Sequence, residues 1–127
     1  MNCPKCHSPM EPVTFDQVTV DRCTGCKGIW FDAREQHKLK EAKGSEAIDT
    51  GDDRVGRRMN QVTDIKCPRC QTPMIQMADV DQHHITFEAC TACQGVFLDA
   101  GEFKDFKSYT LMDYFRGLFK HPEKKKA

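Results

Sequence analysis

The chain has 127 residues, and its 19 basic and 19 acidic side chains cancel to a formal charge of zero. That balance is a poor electrostatic footprint for general nucleic-acid binding, and no run of about 18 apolar residues is present to span a membrane. Eight cysteines without an apolar leader after Met1 point to the reducing cytoplasm, where cysteine clusters read as metal sites rather than disulfides.

The first predicted unit covers residues 1–40. It opens on Cys3-Pro-Lys-Cys6, and Val13, Phe15, Val18 and Val20 then form two short β-rich runs around Asp16-Gln17, which reads as a hairpin. Cys23-Thr-Gly-Cys26 follows, with Gly25 and Gly28, and Gly95 in the second copy, expected to give the turn its backbone freedom. Gly28-Ile29-Trp30-Phe31 supplies a third strand, and Asp32 with Glu35 has the spacing of a helix capping box. Residues 41–66 are rich in Gly, Asp and Arg and read as a flexible linker; Gly56 weakens a helix over Asp52–Met59, and no structure is assigned there.

Residues 67–106 repeat the first unit. Cys67-Pro-Arg-Cys70 matches the opening at an offset of 64, and Cys90-Thr-Ala-Cys93 matches the second cysteine pair at an offset of 67. The three-residue difference falls between the pairs, where a longer hairpin turn near Asp81-Gln82 absorbs it. Ile75, Met77 and Val80 pair with Ile85 and Phe87. Gly95-Val96-Phe97-Leu98 is the third strand, Asp99 and Glu102 form the second capping box, and Leu98 with Phe103 adds a hydrophobic staple.

Residues 107–127 form an amphipathic helix and a basic tail. Phe103, Phe106, Leu111, Met112, Tyr114, Phe115, Leu118 and Phe119 recur at mostly helical spacing ahead of Lys120, Lys124, Lys125 and Lys126. Such a helix packs on the second unit or a sister chain, enters a groove of a protein partner, or lies at a membrane interface. Asp113 and Gly117 interrupt the face that the last of these needs.

Within each unit two CxxC pairs stand 16 or 19 residues apart, a range read as a zinc site. Two intervening residues let a tight turn aim both thiolates at one ion, and a second turn completes a tetrahedron. The ligands are thus Cys3, Cys6, Cys23 and Cys26 in one unit, and Cys67, Cys70, Cys90 and Cys93 in the other. Each unit holds a complete set, so one ion per unit is expected, two Zn2+ in all; iron would fit the same thiolates. Units of about 35 residues are too small to fold without such a staple. Four thiolates around a divalent ion add about −2 per site, taking the loaded protein to about −4. His7, His37, His83 and His84 have no counterparts in the other copy and read as surface residues.

The pattern Cys-Pro-x-Cys, Met, Cys-x-x-Cys-x-Gly, an aromatic and then Asp-x-x-Glu resembles the transcription factor IIB-type zinc-ribbon family of small prokaryotic proteins, in both copies. The resemblance implies a small, mainly β, metal-stabilised fold: two tandem ribbons, each a three-stranded antiparallel sheet, with the eight cysteines as ligands. Closed four-thiolate shells leave no open coordination position and argue against catalysis. The family name suggests a nucleic-acid or protein binding module in transcription, with Arg54, Arg57, Arg58 and the lysine tail as phosphate contacts and Trp30 or Phe97 as stacking platforms. A protein-interaction adaptor and a thiol-based redox or metal sensor are the other readings. A protein partner is expected, nucleic acid stays open, a membrane is disfavoured, and the C-terminal helix would serve any homo-oligomer.

Overall fold

The computed structural model describes residues 1–78 and 85–107. The first hairpin pairs β1 (Met10–Phe15) with β2 (Val18–Cys23), Val13 opposite Val20 and Phe15 opposite Val18. Asp16 and Gln17 turn at φ 51° and 68°, the left-handed conformation that a tight two-residue hairpin turn requires. β3 (Ile29–Phe31) completes the first three strands. The second copy repeats the arrangement with β4 (Ile75–Ala78), β5 (Thr86–Ala89) and β6 (Val96–Leu98). Met77 faces Phe87 as expected, whereas Val80 lies outside the described residues.

The two three-stranded sheets are joined. β3 pairs antiparallel with β6, Ile29 opposite Leu98, Trp30 opposite Phe97 and Phe31 opposite Val96, giving one six-stranded sheet in the order β1-β2-β3-β6-β5-β4. The repeat therefore has an approximate two-fold axis through the Trp30–Phe97 pair. Opposed residues share a face of a sheet. One face carries Val20, Ile29, Phe31, Ile85, Ala89, Val96 and Leu98, packed under Leu39, Ile48, Phe103 and Phe106. Phe31 and Phe103 stack tilted at 5.3 Å. The other face carries Trp30 and Phe97 in a second cluster with every cysteine but the exposed Cys70, and with Ile65 and Met74.

The stretch 41–66 corrects the expectation of an unstructured linker. A 3-10 turn covers Ser45–Ile48, and α2 covers Asp53–Met59 after α1 (Glu35–Lys40). The average composition is polar, but a few residues anchor the segment. Ile48 and Ile65 are buried, and Val55 and Met59 pack on the cysteine cluster. Gly56, which weakens a free helix, is needed here: a Cβ at this position would lie 1.9 Å from the Ala100 carbonyl oxygen.

Capping also differs from the expectation. Glu35 accepts the Asp32 N–H at 3.0 Å, which is half of a capping box, but the Asp32 and Asp99 carboxylates turn elsewhere. The helical segment 102–107 is capped by Asp49 from the middle stretch, whose buried carboxylate accepts the N–H groups of Gly101 at 2.9 Å and Lys104 at 3.0 Å. The staple pair Leu98 and Phe103 shares one buried cluster. The predicted C-terminal helix beyond residue 107 lies outside the described residues.

Candidate metal centres

Each half brings four cysteine sulfurs together: those of Cys3, Cys6, Cys23 and Cys26, and those of Cys67, Cys70, Cys90 and Cys93, all lie within 4.8 Å of one another within their group. All eight cysteines are free thiols. Cys3 and Cys26 stand 3.8 Å apart, Cys67 and Cys93 3.8 Å, and Cys6 and Cys23 3.3 Å. A tetrahedron with metal–sulfur bonds of about 2.3 Å has edges of about 3.8 Å, so the groups fit a single tetrahedral ion each.

The knuckle geometry comes from the backbone. The N–H of the residue after each second cysteine returns to the carbonyl of the first: His7 to Cys3 at 3.0 Å, Lys27 to Cys23 at 3.2 Å, Gln71 to Cys67 and Gln94 to Cys90 at 2.8 Å. These four residues sit at φ 63–67°, so the left-handed turn conformation falls on them and not on Gly25, Gly28 or Gly95. Backbone N–H groups also point at the sulfurs, as from Cys26 to Cys23 at 3.3 Å and Cys70 to Cys67 at 3.2 Å, and such donors stabilise thiolate. The neighbouring Cys26 sulfur holds Cys3 down to about 5 against the opposing pull of burial, while Cys26 itself is pushed up. Burial would raise Cys90, but the N–H groups of Cys93 and Ala92 outweigh it and bring the thiol to about 7.

The glycines serve the joint between the halves. A Cβ on Gly28 would lie 2.3 Å from the Phe97 ring, and one on Gly95 2.2 Å from the Trp30 ring. Each aromatic is fully buried over the other copy's glycine, which removes both from any base-stacking role.

Two basic residues inside the knuckles cross the same joint. Lys5, between Cys3 and Cys6, places its buried Nζ 2.8 Å from Asp99, 3.0 Å from Glu88 and 2.9 Å from the Met59 carbonyl oxygen. The ammonium also lies 5.8 Å from the centre of the Phe97 ring. Arg69, between Cys67 and Cys70, reaches Asp32 at 2.5 and 3.1 Å and Asp21 at 3.5 Å. These two sets are related by the repeat. Sequence reasoning missed both; the signal was a cation at the same place in each Cys-Pro-x-Cys. Burial raises Asp99 to about 6, with Lys5 pulling the other way.

Of the other candidates, Arg54, Arg57 and Arg58 are exposed on α2, and His7 and His37 are exposed. His83, His84 and the terminal lysines lie outside the described residues. No described helix is long and apolar enough to cross a membrane.

A family model described as transcription factor zinc-finger matches residues 2–42 and 66–109, so the two matched regions coincide with the two ribbons. No curated protein and no solved structure matches the chain.

Proposed function

We propose that this chain, which belongs to the transcription factor zinc-finger family, is a non-catalytic, zinc-stabilised binding module whose partner is a protein. Cys3, Cys6, Cys23 and Cys26 would hold one Zn2+, and Cys67, Cys70, Cys90 and Cys93 the other. Zinc in such a shell organises the fold and offers no open position to a substrate.

The observation that carries the protein reading is the enclosure of the motif residues. Gly28, Trp30 and Asp32 and their counterparts are spent on joining the two ribbons, so the aromatics best suited to stack on bases face inward. The loaded sites also shift a neutral chain to about −4, which opposes approach to phosphate. At the surface, β4 is an edge strand of uncharged residues with Ile75 and Met77 both exposed, a surface suited to a protein neighbour. One observation favours nucleic acid instead: Arg54, Arg57 and Arg58 are all exposed on the short helix α2.

Affinity for single-stranded and duplex nucleic acid across a salt series separates the two. Absence of binding at low salt supports the protein reading. Binding with a steep salt slope, lost in an Arg54→Ala, Arg57→Ala, Arg58→Ala variant, would replace it.

A further inference from the structure

The cation in each knuckle ends two residues from a ligand of the other site. Lys5 is fixed at its backbone by the first site, its N–H pointing at the Cys3 sulfur at 3.4 Å, and its ammonium pairs with Glu88, two residues before Cys90. Arg69 is fixed by the second site, its N–H pointing at the Cys67 sulfur at 3.3 Å, and its guanidinium reaches Asp21, two residues before Cys23. Each cation also holds the aspartate that follows the other ribbon's third strand.

We propose that the two sites load and release metal as a coupled pair, with Lys5 and Arg69 as the positioning residues that transmit occupancy from one to the other. The inference rests on the reading of the two cysteine groups as zinc sites. Each knuckle is held in its turn by the ion that its two cysteine pairs share. Emptying the first site frees the knuckle that aims Lys5, and Glu88 and Asp99 then lose the cation that neutralises them in a buried setting. An unpaired buried charge is strongly destabilising, so β5 and the Cys90 turn behind it weaken and the second site binds less tightly. Coupling is reciprocal by linkage, so emptying the second site weakens the first by the same factor. The route is contiguous, running from knuckle to cation to carboxylate to strand to knuckle, and the shared β3–β6 pairing adds to it.

The test is native mass spectrometry of the full chain in chelator-buffered zinc, read at half loading. Two independent, equal sites put about half of the molecules in the one-zinc form, and unequal sites put more there. A coupling of fivefold or more, within the usual range for linked sites, holds that form below about one third. One-zinc species below half, and below a third where the two sites are equal, with two ions at saturation, is the expected result. Two ions at saturation with half or more in the one-zinc form, and the same share in the Lys5→Met, Glu88→Gln, Asp99→Asn variant, would overturn the coupling and leave the zinc reading intact. Fewer than two ions at saturation would overturn both. The route is tested with Lys5→Met combined with Glu88→Gln and Asp99→Asn, in which the one-zinc form should rise toward half. Should that variant not fold, Arg69→Gln at the exposed contact should give a smaller rise. No rise in a folded variant would remove these cations as the route.

Discussion

Lys5 and Arg69 occupy equivalent places in the repeat and grip equivalent aspartates, yet their surroundings are opposite. The Lys5 side chain and its partner Asp99 are 0% and 1% exposed, whereas Arg69 and Asp32 are 45% and 42% exposed. The difference comes from chain order. The stretch between the copies folds back as α2, offers Lys5 the Met59 carbonyl, and seals the pair from water. A symmetric motif thus acquires one dry and one wet contact, and the same ion pair should be worth different amounts in each.

The largest expected effect follows directly. Lys5→Met leaves two buried carboxylates without a cation and should cost about 3–5 kcal/mol in denaturant unfolding of the zinc-loaded protein. Arg69→Met should cost under about 1 kcal/mol. Equal costs would break the comparison. Gly56→Ala sharpens it, because the sign alone is informative. In a free helix this change stabilises by up to about 1 kcal/mol. Against the Ala100 carbonyl it should destabilise by about 1–3 kcal/mol and loosen the cover over Lys5. A higher thermal midpoint for the variant would mean that α2 does not pack there. Asp49→Ala should cost about 1 kcal/mol by uncapping the segment at 102–107, while Asp49→Asn should cost less.

The last comparison is a pH dependence at Glu102. Burial, helped by the nearby Asp99 charge, raises its carboxyl to about 7 from an ordinary value of 4.5. A raised carboxyl binds its proton more tightly when folded, so stability is lost as pH rises from about 4.5 to 7 and the cost is then constant. Glu102→Gln should therefore raise the thermal midpoint by a few degrees at pH 8 and by less at pH 5.5. Equal gains at both values would contradict the assignment.

Much of this was legible because metal-site spacing and strand alternation are local. The eight cysteines, the turn at Asp16-Gln17 and the three strands of each half follow from neighbours in sequence. What was not legible depended on a long-range partner. Gly28 and Gly95 read as flexible turn residues, but their reason is a ring from the other copy. Asp99 has cap spacing, yet Lys5 claims its carboxylate and Asp49 does the capping. The middle stretch is polar on average, and composition cannot show that Ile48, Gly56 and Ile65 are placed to anchor it.

On the proposed reading, each half closes a four-thiolate shell around one zinc ion. Zinc X-ray absorption on the purified chain, with metal content measured on the same sample, tests it most directly. Two zinc ions per chain are expected, each with four sulfur neighbours at about 2.3 Å. A single ion per chain, or nitrogen or oxygen in the first shell, would contradict it.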